Sequence, residues 1–109
     1  METLIKSLRQ FAKERDWGQF HSPKNLSMAL TKEAAELMEH FQWLTESGSW
    51  LIQTDLIEPE IGDVMIYLLM ICDKLGIDPI ECARIKLEIN KDKYPIEKAK
   101  GNAKKYNEL

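Results

Sequence analysis

An apolar run in the second half of the chain restricts its possible folds more than any other stretch. Residues 61–71 place apolar side chains on every side of a helix, a pattern typical of a helix inside a bundle or at a subunit interface. Two acids, Glu60 and Asp63, nevertheless lie in or beside this run, three residues apart. An ionised carboxylate in apolar surroundings is costly unless it has a partner, so these acids require a metal ion, a basic residue or a proton.

A second acidic pair, Glu33 and Glu36, repeats the three-residue step. At about 100° of rotation per helical residue, an arc of about 80° holds four side chains: Glu33, Glu36, His40 and Trp43. An apolar stripe borders this arc and consists of Leu26, Leu30, Ala34, Leu37, Phe41 and Leu44. Neighbouring carboxylates repel each other unless a cation lies between them. Two such pairs on facing helices would therefore form a cage for a divalent metal ion.

The two acidic pairs are predicted to meet at a common site. Glu36 lies about ten residues before the predicted end of its helix, and Glu60 lies about four to six residues after the predicted start of the next. At about 1.5 Å per residue, antiparallel neighbours bring both pairs to within about two turns in height. Hard oxygen ligands favour Mg²⁺, with Mn²⁺ as a possible substitute. The alternatives are a solvated acidic face for Glu33, Glu36 and Glu39, and buried salt bridges to lysines for Glu60 and Asp63.

Other metal chemistry is not favoured by the residues. A di-iron carboxylate bundle needs a Glu-x-x-His step on two helices, but His40 follows Glu36 by four residues and His21 is predicted in a loop. Cys72 and Cys82 are isolated in apolar, helical surroundings. They are predicted to be buried thiols rather than a disulfide or a metal site.

Helical periodicity and capping residues predict an all-α protein whose four main helices form a bundle. The predicted helices span residues 3–17, from Pro23 to about Glu46, from between Thr54 and Glu58 to Leu75, and from Pro79 to about Lys93. Ser22 and Asp78 are predicted N-caps, and Pro59 is predicted in the first turn of the third helix. Residues 47–55 are predicted to form a loop with an apolar anchor, and residues 96–109 a polar, lysine-rich tail.

Length and charge narrow the class of protein. A chain of 109 residues typically builds one hydrophobic core, so residues 1–109 are predicted to be a single domain. No apolar run approaches the roughly 20 residues of a membrane span, and the N-terminus has no signal-peptide pattern; a soluble, cytoplasmic protein is predicted. Residues 86–109 carry a net charge of +3 and residues 1–85 carry −6. This distribution suits a metal-bound polyphosphate better than nucleic acid, and neither nucleic acid nor a membrane is an expected partner.

The spacing of the acidic pairs matches a known metal motif. Glu33-x-x-Glu36 and Glu60-x-x-Asp63, with 23 residues between them, resemble the motif of the MazG-like nucleoside triphosphate pyrophosphohydrolases. Further blocks extend the resemblance over nearly the whole chain: Glu14-Arg15-Asp16-Trp17-x-x-Phe20-His21-x-Pro23-x-Asn25-Leu26, Glu36-Leu37-x-Glu39-x-Phe41-Gln42-Trp43, Gly62-Asp63-Val64-x-Ile66-Tyr67-Leu68, Lys86-x-x-x-Asn90-x-x-Lys93-Tyr94-Pro95 and Lys105-Tyr106-x-Glu108-Leu109. Within the family, these blocks resemble most the branch that acts on dCTP.

The resemblance implies an all-α fold that assembles as a homodimer or homotetramer. It also implies Mg²⁺-dependent hydrolysis of a deoxynucleoside triphosphate, in this branch a pyrimidine one, to the monophosphate and pyrophosphate. Four residues would hold Mg²⁺, and one of them would help to activate the attacking water: Glu33, Glu36, Glu60 and Asp63. Four more would bind phosphates and sugar, within one subunit or across a subunit boundary: Lys86, Asn90, Lys93 and Tyr94.

Four aromatic side chains match family positions associated with the base pocket: Trp17, His21, Trp43 and Tyr67. Judged from the residues alone, Trp17 and Tyr67 favour the core, whereas Trp43 and His21 are left open between core and pocket. The resemblance favours the pocket for Trp43 and His21 and leaves the other two open.

Some positions depart from the family pattern. Lys32 and Ala35 stand where many relatives have glycine. Pro59 stands where a further acid often occurs, and Lys93 stands where arginine is common, which exchanges a bidentate donor for a point charge. The leading hypothesis is an enzyme that removes surplus or non-standard pyrimidine deoxynucleotides from the nucleotide pool. The alternative is a noncatalytic helical module that binds a nucleotide or a partner helix.

Overall fold

A computed structural model describes residues 1–109 and contains helices and turns but no strand. Six α-helices follow one another: α1 (Glu2–Glu14), α2 (Pro23–Glu39), α3 (Glu46–Ser49), α4 (Thr54–Leu75), α5 (Pro79–Lys93) and α6 (Ile96–Ala99). Two 3₁₀ turns, Gly18–Phe20 and Tyr106–Glu108, lie before α2 and at the C-terminus. The predicted all-α fold with four main helices is confirmed, and α3 and α6 are short additions to it.

The predicted end of the second helix is wrong by several residues. After α2 ends at Glu39, the amides of His40 and Phe41 bond to carbonyls three residues back, which tightens the chain into turns. Thr45 then caps a new helix, since its Oγ1 accepts a hydrogen bond of 2.9 Å from the amide of Gly48. A threonine at this position starts α3 at Glu46, and most of α3 lies in the predicted loop.

The first helix was predicted to reach residue 17 but ends at Glu14. The starts of α2 and α5 and the end of α4 follow their predicted caps. Ser22 Oγ accepts from the Asn25 amide at 3.1 Å at the start of α2, and Asp78 Oδ1 accepts from the Ile80 amide at 2.9 Å at the start of α5. Gly76, with φ +67°, ends α4 in the left-handed conformation that glycine adopts most easily. Because α4 begins at Thr54, Pro59 lies in its second turn and not in the first as predicted.

The chain forms two compact units, Met1–Ile77 and Asp78–Leu109, and each is described by itself. The single domain expected from the chain length stays a prediction. In the first unit, α4 packs along α2 and also contacts α1. Side chains from these three helices form the core: Ala12, Leu26 and Leu69.

A single chain leaves much apolar surface exposed. Its accessible surface is 8786 Å², whereas a folded monomer of 12.7 kDa is expected to expose about 6,200 Å². The apolar helix that was predicted to be buried is therefore only partly buried within one chain. On α4, Leu69 is buried but five large apolar side chains stay exposed: Leu56, Ile61, Met65, Leu68 and Leu75.

Two further burial predictions are also corrected within one chain. In the apolar stripe of α2 only Leu26 is buried, and Ala34 is exposed. Cys72 is half-buried and Cys82 is exposed, with no disulfide joining them. The reason for the exposure on α2 is that α4 covers only part of its apolar face. None of the helices combines the length and apolar content needed to cross a membrane.

Candidate metal centre

Two long helices bring three of the predicted metal ligands together. Glu33 and Glu36 lie one turn apart on α2, and Glu60 lies in the second turn of α4, which packs along α2. One carboxylate oxygen from each of these residues lies within 4.8 Å of the other two. Asp63 lies one turn further along α4 with an exposed side chain, and its charge acts on Glu33. The predicted meeting of the two acidic pairs is thus seen directly for three members.

Glu33 has the most perturbed environment in this cluster. The neighbouring Glu36 carboxylate, with which a protonated Glu33 can share a hydrogen bond, raises the pKa of Glu33 above its usual range. Burial and the negative charges of Glu36 and Asp63 raise this pKa further. Glu33 Oε2 is also sealed from solvent and accepts no hydrogen bond. Such an oxygen lacks the positive partner that a buried carboxylate needs.

Two basic side chains border the cluster without neutralising it. Lys32 Nζ lies 3.9 Å from Glu36 Oε1, and His40 Nε2 lies 3.6 Å from Glu60 Oε1. Both distances exceed a normal hydrogen bond, and neither group reaches Glu33 Oε2. His40 received no role from the sequence, although its position four residues after Glu36 places it on the same face of the helix as that residue.

The donor set fits a hard divalent cation. It consists of carboxylate oxygens only, one of them buried without a donor, and such ligands are those of Mg²⁺ and Mn²⁺. Glu36 and Glu60 are 35% and 23% exposed at their side chains, so an ion can reach the cluster from solvent. The alternative of lysine salt bridges to Glu60 and Asp63 does not fit, because the one ion pair on these two acids is the one between His40 and Glu60.

Two of the predicted base-pocket residues lie together near α1. The ring centroids of Trp17 and His21 are 6.4 Å apart in an edge contact, and Trp17 also packs against Phe11 at 5.5 Å. His21 lines a cavity of about 300 Å³ between α1 and α4. Its Nδ1 is buried without a hydrogen-bond partner. Burial, and then the positive charge of Lys74, lower the pKa of His21, which favours the neutral ring.

The other two predicted base-pocket residues have no ring contact with that pair. Trp43 follows α2 and is 89% exposed, so it is not part of the core within one chain. Tyr67 lies on α4 and is half-buried. The structure therefore joins Trp17 and His21 and leaves Trp43 and Tyr67 apart from them.

A bidentate ion pair crosses the same cavity and joins α1 to α4. Arg9 Nε donates to Asp73 Oδ2 at 2.8 Å, and Arg9 Nη2 donates to Asp73 Oδ1. The hydrogen bonds from Arg9 lower the pKa of Asp73. The sequence reasoning missed this pair, since an acid near the end of an apolar helix does not reveal which distant arginine it meets.

The predicted phosphate-binding residues belong to the second unit. Lys86, Asn90 and Lys93 lie on α5, and the Tyr94 amide ends the helix by bonding to the Asn90 carbonyl at 2.8 Å. Lys93 Nζ lies 4.7 Å from the ring centroid of Tyr106, and the rings of Tyr94 and Tyr106 meet edge to face at 6.3 Å. Tyr106 was matched in sequence but given no role.

Comparison with known proteins then establishes the family. The profile of the MazG-like family matches residues 29–109, which include both acidic pairs and the whole of α5. The chain belongs to the MazG-like family. The resemblance predicted from the sequence motifs is confirmed.

Individual relatives agree with this MazG-like assignment. Mouse dCTP pyrophosphatase 1 is 37% identical over 114 aligned residues, which cover 100% of this chain and 67% of the mouse protein. Its human counterpart is 36% identical with the same coverage. The crystal structure of a pyrophosphatase from Archaeoglobus fulgidus superposes with a TM-score of 0.83 and 42% identity, over 87% of this chain and 92% of the archaeal one.

Proposed function

We propose that this protein hydrolyses a pyrimidine deoxynucleoside triphosphate to the monophosphate and pyrophosphate with Mg²⁺, in the cleaning of the cytoplasmic nucleotide pool. The class of enzyme, a nucleoside triphosphate pyrophosphohydrolase, is confirmed by the family and by relatives that are pyrophosphatases. The observation that carries the proposal is the convergence of three carboxylates within 4.8 Å on packed helices.

The carboxylates of α2 and α4 are proposed to hold Mg²⁺. The ligands would be Glu33, Glu36, Glu60 and Asp63. A Mg²⁺ ion held there would neutralise charge on the phosphates and make the attacking water more acidic. One of the four carboxylates accepts the proton of the water that attacks the α-phosphorus. The bond between that phosphorus and the oxygen bridging to the β-phosphate then breaks, and pyrophosphate leaves.

The rest of the substrate is proposed to meet two further groups of side chains. Phosphates and sugar are assigned to Lys86, Asn90, Lys93 and Tyr94. Their unit supplies positive charge, since residues 86–109 carry +3, and positive charge attracts a polyphosphate. The base is assigned to Trp17, His21, Trp43 and Tyr67. Aromatic faces stack on pyrimidines, and the cavity beside His21, whose lining is apolar at Leu8, Ala12 and Leu69, gives the first unit space for a ring.

The exposed surface supports the proposed dimer or tetramer. A single chain exposes about 2,500 Å² more than a monomer of its mass should, which exceeds the roughly 800 Å² that each partner contributes to a standard interface. Four of the exposed apolar residues of α4 follow helical spacing, so they share one stripe: Ile61, Met65, Leu68 and Leu75. A stripe of this kind fits a partner helix from a second copy.

A substrate panel tests the proposed reaction. Purified protein with Mg²⁺ is given dCTP, its 5-modified forms, dUTP, dTTP and purine deoxynucleotides, and pyrophosphate and orthophosphate are measured separately. We expect pyrophosphate release that is fastest with a pyrimidine. Release of orthophosphate would place the cleaved bond elsewhere. No turnover of any nucleotide, together with intact metal binding, would support the noncatalytic binding module instead.

A further inference from the structure

The chain after α5 folds back on the end of that helix. Gly101 adopts φ +83°, a conformation that favours glycine. Asn102 fixes the turn on both sides, because its Nδ2 donates to the Lys98 carbonyl at 2.9 Å and its Oδ1 accepts from the Lys104 amide at 3.0 Å. This local reversal returns the C-terminal 3₁₀ turn, which begins at Tyr106, towards residues 93 and 94.

Tyr106 contacts two neighbours with two different parts of its ring system. The ammonium of Lys93 lies over its face, 4.7 Å from the centroid. The ring of Tyr94 lies at 6.3 Å and is inclined by 85°, the edge-to-face arrangement that aromatic pairs prefer. The contact with Tyr94 restrains the Tyr106 ring in an orientation whose face is presented to the Lys93 ammonium.

A ring face holds a lysine without cancelling its charge. Lys91, two residues earlier, pairs with Glu88 at 2.9 Å and so has a negative partner. Lys93 has no acid partner within 4.0 Å, and the contact recorded at its ammonium is the Tyr106 ring. A cation on an aromatic face keeps its charge, and the N–H groups that do not point at the ring remain donors for an anion. Of Lys91 and Lys93, Lys93 is therefore the one whose ammonium is held in place without a neutralising acid.

We propose that Tyr106 is a positioning residue that holds the Lys93 ammonium ready for a phosphate group of the triphosphate. This rests on the proposed function, which assigns Lys93 to phosphate binding. The role is useful here because lysine is long and flexible. Ordering its side chain before substrate arrives reduces the entropy lost on binding.

Steady-state kinetics of the full chain with dCTP and Mg²⁺ test the proposal. Tyr106→Leu removes the ring face and should raise KM about 3- to 10-fold while kcat stays within about 2-fold. Tyr106→Phe keeps the face and should restore KM to within about 2-fold of wild type. Lys91→Ala is the matched lysine control and should also leave KM within about 2-fold. Tyr106→Gln replaces the leucine variant if that protein aggregates.

A double variant asks whether Tyr106 acts through Lys93. Lys93→Ala alone should raise KM. The double variant Lys93→Ala with Tyr106→Leu should have a KM within about 2-fold of that of Lys93→Ala. The proposal is overturned by a wild-type KM in Tyr106→Leu, by a Tyr106→Phe variant as weak as Tyr106→Leu, or by two effects that multiply. Inactive wild-type protein would instead defeat the proposed function. In that case the affinity of the same variants for inorganic triphosphate is measured by calorimetry. Weaker binding by Tyr106→Leu but not by Tyr106→Phe supports the role of Tyr106, and equal binding overturns it.

Discussion

The carboxylate cluster and the group of lysine and tyrosine side chains around the end of α5 are built in opposite ways. Glu33, Glu36 and Glu60 project from two long helices that pack along each other, so helix packing sets where their side chains begin. Lys93 and Tyr94 project from the end of one exposed helix and are held by a ring that returns from the C-terminal tail. A rigid, acidic centre suits the bond-breaking step, whereas long, basic side chains suit capture of a charged substrate. Substitutions in the first group should therefore change kcat, and those in the second should change KM.

The largest expected effect is the loss of a proposed metal ligand. Glu36→Gln and Asp63→Asn should each lower kcat at least about 100-fold while the helical content stays that of wild type, because each removes a ligand and no core contact. Activity assays with Mg²⁺ and circular dichroism check this. Near-wild-type kcat in either variant would show that the reactive centre lies elsewhere.

The second group should show the opposite kinetic pattern. Lys86→Ala is expected to raise KM about 10-fold and to leave kcat within about 3-fold, because a charge-assisted contact to phosphate is lost. Arg84→Ala is the matched control on the same helix, since Arg84 is exposed and lies 3.9 Å from Glu81. Steady-state kinetics should leave the Arg84 variant close to wild type. A fall in kcat with unchanged KM for Lys86→Ala would remove the distinction between the two groups.

Substitution of two tryptophans in the first unit tests whether that unit also binds the base of the substrate. Trp43 and Trp50 are 89% and 88% exposed, but only Trp43 is assigned to the base. Trp43→Ala should raise KM about 5-fold through loss of stacking, and Trp50→Ala should leave KM unchanged. Equal effects of the two substitutions on KM would argue for a shared packing role instead.

Repulsion within the carboxylate cluster should be visible in stability. Glu33→Gln removes the carboxylate that repels Glu36 and Asp63. Without divalent ions we therefore expect the melting temperature of the variant to exceed that of wild type by about 2–4 °C. Added Mg²⁺ should stabilise wild-type protein and stabilise the variant less. Thermal melts with a chelator and then with Mg²⁺ measure both. A lower melting temperature of the variant in chelator would mean that the Glu33 carboxylate stabilises the fold through its contacts with neighbouring residues.

The smallest expected effect is the contribution of His21 to the pH dependence of the free energy of unfolding. Its pKa is lowered from 6.5 by burial and by Lys74, so between the two pKa values the unfolded chain binds more protons than the folded one. The free energy of unfolding should therefore rise with pH below about 6.5 and level off above it. Denaturant melts of wild type and His21→Gln between pH 5 and 8 should show a shallower slope in the variant. Equal slopes would assign the dependence to other groups.

Local signals in the sequence predicted most of the helices and the main site. Caps at Ser22 and Asp78 and the glycine at position 76 act over a few residues, so their effects can be derived from the sequence. The acidic pairs were predicted at similar heights from a helix end at Glu46. Although α2 ends at Glu39, Glu33, Glu36 and Glu60 still come together, because they lie on α2 and α4, which pack along each other.

The missed features depend on competition or on distant contacts. Apolar periodicity continued past Glu39, but the chain turns at His40 and Phe41 and starts α3 after the cap at Thr45. The contact of His40 with Glu60 and that of Lys93 with Tyr106 join residues whose approach depends on how helices pack or on where a turn sends the tail. Burial was overestimated because periodicity reports that a face is apolar, and not whether the same chain covers it.

The sparse core has a consequence for the amount of protein that must be present. With only Ala12, Leu26 and Leu69 buried in one chain, much of the free energy of folding is left to contacts between copies in the proposed assembly. By mass action, the fraction of folded chains then rises with total concentration. Dilution would act on this protein as a denaturant does on a monomer.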